Sequence, residues 1–322
     1  LYHQFRDNGL VGDRAGEAEV SVGTFDYKQY GGWLSGPIIE DRAFFFVSYE
    51  DEGLTEPGTT FRANTGGQAI DGAVTRVLES DLNTLSSFLS SNFGYETGPF
   101  QDYDHEVPAS RLLAKFDFNL GDRNKLSFRY NQLDSETDVL ASNSSSLGFG
   151  NRRTSSQALN FKGSNYTILE NIRSGVAELN STIGNDMANS LIVGYTSHDE
   201  SRGAPGELFP IVDILEDGST YTTFGSEPFT PNNELRYNSF QIQNNFSIFR
   251  ANHTLTLGAS FERYESENVF FPGSQSAYVY NSLEDFYTDA NDYLANPNRT
   301  TSPVDLRRFQ VRWSNIPGQE KP

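Results

Sequence analysis

Ala43 to Glu50 reads AFFFVSYE, a run that is apolar on both faces once it is extended. In a strand, Phe44 and Phe46 point one way while Phe45, Val47 and Tyr49 point the other. A half-buried soluble strand normally carries one polar face. A strand with lipid on one side and packed side chains on the other does not need one. A central strand of a soluble sandwich fits the same eight residues. The run forms the second arm of a hairpin, Gly31 to Glu50, whose first arm ends in Leu34-Ser35-Gly36. Pro37 to Arg42 connects the arms, and Pro37 belongs at a strand end or turn because it has no N–H and a fixed φ.

The pattern recurs along the chain. Ala114, Phe116, Phe118 and Leu120 alternate with Lys115, Asp117 and Asn119, and Gly121-Asp122-Arg123-Asn124 turns the chain. The return arm sets Leu126, Phe128 and Tyr130 against Ser127, Arg129 and Asn131, which is strict period two with charge on one face. It runs on into Asp134 to Asp138, too polar for a core, as a barrel strand does on leaving a bilayer. A third hairpin spans about Tyr166 to Ile183, turns at Gly184 to Ala188 and returns from Asn189 to Asp199. A fourth sets Phe240, Ile242, Phe246 and Ile248 against Gln241, Gln243, Asn245 and Ser247, turns at Arg250 to His253, and returns through Leu255, Leu257, Ala259 and Phe261. Leu1 to Phe5, Glu17 to Phe25 and Leu306 to Trp313 are further candidate strands.

Connections alternate between about four to six residues and about twenty to fifty. The long ones are Asp51–Pro108, Leu140–Ser164 and Ser201–Tyr237. Within the first, Gln68 to Ser91 has helical spacing, with Val74, Val77, Leu78, Leu82, Leu85, Phe88 and Leu89 at three- and four-residue steps. Gly94 to Pro108 is irregular and acidic, Ser201 to Tyr237 is a proline-bearing loop, and Ser282 to Phe286 is a helical turn. Short turns at one end and long loops at the other are the signature of an outer-membrane barrel; sandwiches keep loops short at both ends.

Composition agrees with an all-β chain. Among 322 residues there are 25 Phe and 16 Tyr against one Met and two Trp, and aromatics favour pleated strands. The absence of cysteine removes any disulfide framework or thiolate site. A net charge of −19 argues against nucleic acid, which needs clustered Lys and Arg. No apolar run of 18 residues suggests a membrane-spanning helix, which says nothing of a barrel whose strands need only about 9–11 residues.

Chemistry-bearing motifs are scarce. His3, His105, His198 and His253 lie far apart and never at metal-ligand spacing. Asp102-Tyr103-Asp104-His105-Glu106 and Asp285 to Asp292 offer oxygen ligands for a hard cation such as Ca²⁺, but neither has the EF-hand pattern, and both read as solvated acidic loops. No HExxH, GxSxG or phosphate-binding glycine loop occurs. No catalytic, cofactor-binding or metal-binding residue is nominated, and ligand contacts are expected on loops 51–108, 140–164 and 201–237.

Gly31-Gly32-Trp33-Leu34-Ser35-Gly36-Pro37-Ile38-Ile39, followed by Asp41-Arg42-Ala43-Phe44-Phe45-Phe46 and Ser48-Tyr49-Glu50, resembles a segment of TonB-dependent outer-membrane receptors. The nearest group is the Oar-like type, with a carboxypeptidase-regulatory-like N-terminal domain. Ser35 stands where that family often has Gly, and Arg42 where it often has Lys. Tyr2 to Asn8, Arg111 to Asn131, Ser239 to Phe261 and Ser282 to Phe286 are similar to further family stretches. The resemblance implies that residues 1–322 are a partial receptor barrel of about nine to ten antiparallel strands, with the plug and the C-terminal half of the barrel absent. It implies a Gram-negative outer-membrane location, lipid contact and no enzymatic activity. It also implies energy-coupled uptake of a bulky solute (siderophore, oligosaccharide or peptide), driven by the TonB-ExbB-ExbD system through the plug. The short turns would then face the periplasm and the long loops the exterior. The alternative is a secreted or surface β-sandwich that binds carbohydrate through aromatic and Asn/Asp-rich loops; a β-rich hydrolase is a third reading without a nominated catalytic set.

Overall fold

The computed structural model of the chain describes residues 1–10, 12, 14–15, 18–19 and 23–318. Glu17 and residues 20–22 of the expected strand Glu17–Phe25 lie outside the described residues. Nine strands build the main sheet: β1 (Tyr2–Asp7), β2 (Asp26–Ile39), β3 (Ala43–Pro57), β4 (Asp104–Asn119), β5 (Asn124–Val139), β6 (Asn171–Ile183), β7 (Met187–Asp199), β8 (Asn233–Arg250) and β9 (His253–Phe270). Each pairs antiparallel with its sequence neighbour, so the spatial order is the chain order. This up-and-down meander is barrel topology, not the two facing sheets of a sandwich. Two short strands, Tyr166–Leu169 and Arg202–Gly203, extend it beside β5 to eleven strands. Among the described residues β1 pairs only with β2, and β9 only with β8, so the sheet is open.

Register assigns the two faces. Phe45, Phe116, Phe128, Ala177, Val193, Ile242 and Phe261 lie opposite one another on successive strands and form one apolar row. Val47 and Tyr49 share their face by the two-residue period. Phe46 sits in the opposite row, with Lys115, Arg129, Val176, Gly194, Gln241 and Glu262. The doubly apolar strand β3 therefore turns Phe45, Val47 and Tyr49 to the apolar face, and Phe44 and Phe46 to the polar one.

The apolar face is banded. Tyr30, Tyr49, Tyr130 and Tyr195 form a collar of exposed rings. Toward the short turns, the apolar face of β3 to β8 has no charged side chain until Arg250 at the last turn. On the other side of the tyrosines come Asp51 and the ion pairs Arg173–Asp134 and Arg236–Asp199. At about 3.4 Å per residue, the 18 residues of β8 run roughly twice the ~25 Å of an outer-membrane apolar band. The strands thus project beyond the band at their long-loop ends.

The short turns are tighter than the sequence suggests. Pro37 is inside β2, opposite Phe44, with a register shift between Pro37 and Ile39; the turn proper is Glu40–Arg42. A proline at a bulge beside a turn loses no ladder bond that the strand needs. Other boundaries also move. β4 starts at Asp104, inside the stretch expected to be irregular, and the expected arm Tyr166–Ile183 breaks at Glu170.

At the opposite end the long loops fold together into a cap with its own core. Helix α1 (Glu79–Phe93) buries Leu82, Leu85 and Leu89 at helical spacing. It ends at Gly94, whose positive φ lets its N–H reach the Ser90 carbonyl. The helix expected from Gln68 starts later, because Val74–Leu78 is a strand that buries Thr75 and Val77 in alternation. β-branched residues at period two favour the strand there. Helix α2 (Leu283–Ala295) is longer than the single turn expected; the Ser282 hydroxyl accepts the Asp285 N–H as its N-cap. A small sheet runs in the order Ser219–Phe224, Ile211–Glu216, Ala277–Tyr280, Arg308–Gln310. The strand expected near Leu306–Trp313 is thus a cap edge, not a strand of the main sheet. Phe88 meets Phe286 and Tyr287 edge-on, and Phe286 meets Phe224, which locks both helices to that sheet. Phe224 and Phe286 are buried, and each contributes about 1.5–3 kcal/mol.

Candidate functional site

The three loops expected to carry ligand contacts meet in one cleft of about 480 Å³ on the cap. Gly94, Tyr95 and Glu96 come from the first loop, Lys162 and Gly163 from the second, and Pro205, Glu207 and Ser226 from the third. Its wall is rigid where Tyr95 stacks on Phe209 at 4.1 Å and accepts the Gly225 N–H at 3.1 Å. Burial pushes the Tyr95 hydroxyl up to about 12, against the opposing effect of the Gly225 N–H. Lys162 reaches the Asp104 carbonyl at 3.0 Å and lies over the Tyr103 ring. Lys162, Glu96 and Glu207 give the cleft both signs of charge, with no nucleophile–base pair among them.

A second concavity, of about 590 Å³, lies on the polar face between β1 and β6. Tyr2, Trp33, Phe46 and Leu113 supply apolar surface, and Glu50 and Arg111 the charge. Arg111 bridges two carboxylates, at 2.8 Å from Glu50 and 2.8 Å from Glu52. The Tyr2 hydroxyl donates to Glu50 as well. Two carboxylates against one guanidinium leave this patch with net negative charge, ringed by aromatic surface.

The acidic stretches do not behave as free loops. Asp102 pairs with Arg62 at 2.8 Å. Asp289 is buried in α2, where it accepts from the Tyr280 hydroxyl at 2.7 Å, from Ser302 at 2.5 Å and from Arg299 at 2.7 Å. Arg299 also holds Asp292 at 2.7 Å. Asp289 and Asp292 thus tie α2 to its neighbours.

The histidines separate. His3 stacks on Phe5, His105 bonds Asn165 at 3.1 Å, and His253 opens β9 beside a short turn. Among the described residues, His198 alone of the four joins a cluster of possible metal ligands, with Glu170 and Glu200. Residues 28 and 30 apart in sequence meet because β6 and β7 pair antiparallel from Asn171 opposite Asp199. Sequence spacing could not reveal that grouping; only the hairpin register could.

Residues 59–313 match the family model described as an outer membrane beta barrel domain. No curated protein matches the chain. Among solved structures, the outer membrane transporter YddB from Escherichia coli superposes with a TM-score of 0.52 at 11% sequence identity, covering 84% of this chain and 29% of that one. At that identity the likeness concerns the fold, and the chain spans under a third of the transporter's length.

Proposed function

The chain belongs to the outer membrane β-barrel domain family and sits in the outer membrane, and from that premise we propose that it is part of a TonB-dependent transporter of the Oar-like type. The observation that carries this reading is the division of one meander into a lipid-matched apolar face and a polar face lined with ionic networks. A membrane sheet cannot leave open edges in hydrocarbon. Further strands therefore pair with β1 and β9, and residues 1–322 form a partial barrel domain. The Gly31–Glu50 block, with its resemblance to TonB-dependent receptors, supports energy coupling through a plug and the TonB-ExbB-ExbD system. The aromatic and ionic groove around Trp33, Glu50 and Arg111 then faces the plug or the passing solute. The cap faces outward and its cleft meets the solute first, a siderophore, oligosaccharide or peptide.

The chain has no cysteine, so single cysteines report topology cleanly. Ser144→Cys in the cap should react with a membrane-impermeant maleimide on intact cells, and Asp122→Cys in a short turn only after the outer membrane is opened. The reverse pattern overturns the orientation. Accumulation of a ferric siderophore, a labelled oligosaccharide and a labelled oligopeptide, with and without TonB, tests the coupling and sorts the solute class. Uptake that is unchanged without TonB rejects energy coupling.

A further inference from the structure

We propose that His198, Glu170 and Glu200 form a binding site for a divalent cation of the zinc type, at the cap end of the main sheet's polar face. His198 is only 6% exposed, and its Nε2 has no hydrogen-bond partner among the described residues. That nitrogen points at Glu200, whose Oε1 lies 3.6 Å away, beyond hydrogen-bond reach. One ligand atom from each of the three residues lies within 4.8 Å of the others.

The other ring nitrogen is held. His198 Nδ1 is hydrogen-bonded to the Tyr237 hydroxyl, directly across the β7–β8 ladder, and the two rings meet edge-on at 4.8 Å. A ligating histidine is oriented in this way, with one nitrogen fixed by an outer partner and the other free for the metal. In the tautomer whose Nδ1–H donates to the Tyr237 hydroxyl, Nε2 presents a lone pair to two carboxylates. Three electron-rich groups facing one another repel unless a positive charge lies between them.

Ligand identity selects the cation. Imidazole with carboxylates suits zinc and neighbouring transition ions, whereas Ca²⁺ and Mg²⁺ take oxygen ligands almost exclusively. Ligands about 2.0–2.2 Å from Zn²⁺ sit roughly 3–4 Å apart, and rotation of the exposed Glu170 closes the present gap. Water completes the shell. Glu170 precedes β6 and bonds the Ser135 carbonyl through its N–H, while Glu200 follows β7 and bonds the Leu235 carbonyl in the same way. The cation would therefore link chain segments where the sheet passes into the cap. The site does not depend on the transport reading, since its ligands and its binding test involve neither solute nor TonB.

The test is Zn²⁺ binding by the full chain in detergent micelles, read by titration calorimetry and by the visible absorption of Co²⁺ at the same site. One equivalent of Zn²⁺ is expected, not displaced by equal Ca²⁺. Glu200→Gln, Glu170→Gln and His198→Gln should each weaken binding by more than tenfold. Tyr237→Phe, which removes only the outer partner, should weaken it by about 10- to 100-fold. His253→Gln, at the far end of the sheet, should bind as the parent does. Heat-modifiable migration on gels confirms that each variant is folded. Absence of saturable Zn²⁺ binding, or undiminished binding by folded Glu200→Gln and His198→Gln, overturns the proposal; His198 is then a proton-bearing partner of Glu200.

Discussion

Arg152 and Asp213 form a bidentate ion pair inside the cap with both side chains fully buried, at 2.9 Å from Nε to Oδ1 and 3.0 Å from Nη2 to Oδ2. Every remaining valence is met. Arg152 also donates to the carbonyls of Ser142, Ser144 and Leu147, and Asp213 accepts from Thr223 at 2.9 Å and from the Phe149 N–H at 2.7 Å. A buried pair roughly breaks even against apolar packing. Its value lies in geometry, because three loop carbonyls, one loop amide and the Thr223 hydroxyl are ordered around one guanidinium–carboxylate unit. The pair ties the loop at Ser142–Arg152 to Ile211–Glu216, an inner strand of the cap sheet.

Asp213→Ala strands the guanidinium without its partner, which costs about 3–5 kcal/mol. The expected result is a cap whose loop at 142–152 becomes protease-sensitive and exchanges its amides rapidly, while the main sheet stays protected. Asp213→Asn, which keeps the shape and some hydrogen bonds, should lose less. Equal protection of the Ala variant and the parent would show that the pair does not organise the cap.

The face assignment predicts opposite tolerance at neighbouring residues. Val193→Arg places a charge in the apolar band between Ala177 and Ile242, at a cost of about 2–4 kcal/mol. Gln241→Arg lies opposite Gly194 and Glu262 on the polar face and should change stability by under ~1 kcal/mol. Urea unfolding in phospholipid vesicles measures both. Equal losses would mean that the apolar row does not face lipid.

Much of the sheet was legible because strands announce themselves by period two. The paired directions of Phe44 and Phe46 against Phe45, Val47 and Tyr49 follow from alternation alone. What alternation lacked was the partner strand: only the register against Phe116 or Lys115 says which set meets lipid. The cap was harder. Ile211–Glu216 and Ser219–Phe224 flank Asp217-Gly218, both at positive φ, a hairpin signal in its own right. Pro205, Pro210, Pro228 and Pro231 around it made the whole stretch read as loop. Val74, Val77 and Leu78 continue the helical spacing of Leu82 and Leu85, yet the burial of Thr75 and Val77 in alternation makes the segment a strand. The cleft and the His198 cluster depend on contacts between distant loops, which leave no periodic trace.

The cap carries an alkaline limit in its buried tyrosines. Burial raises the hydroxyls of Tyr95, Tyr221 and Tyr280, and the hydrogen bonds to Asp81 and Asp289 push the last two further. The folded state then keeps protons that the unfolded chain releases above about pH 10. This stability is present in full below about pH 10 and is lost as pH climbs from there through the folded values, the Tyr95 share being gone once pH passes about 12. Tyr95 alone accounts for about 2–3 kcal/mol of that loss. Tyrosinate absorbance followed with cap protease resistance should show these groups ionising only as the cap opens. Tyr95→Phe should reduce the alkaline sensitivity. Free titration of all tyrosines near pH 10 with the cap intact contradicts it.

Gly225 provides the sharpest test of whether the cap folds as a unit. It follows the strand Ser219–Phe224 at φ +93, a conformation L side chains rarely adopt. A Cβ there would lie 1.9 Å from the Pro210 carbonyl oxygen and 2.7 Å from its carbon, both backbone atoms. Gly225→Ala therefore adds about 1–3 kcal/mol of backbone strain, and the clash adds more by displacing the chain that leads into Ile211–Glu216. That strand is an inner strand of the cap sheet, and the Gly225 N–H also fixes the Tyr95 hydroxyl. The disturbance should reach both the core and the cleft. Gly206→Ala, where a Cβ meets nothing within 4 Å, should be silent in the same cleft wall. Hydrogen exchange of the two variants in micelles compares them directly. Expected is loss of protection across α1, α2 and the cap sheet in Gly225→Ala, with the long strands unchanged. Loss confined to residues beside Gly225 would mean that the cap is a set of independent loops.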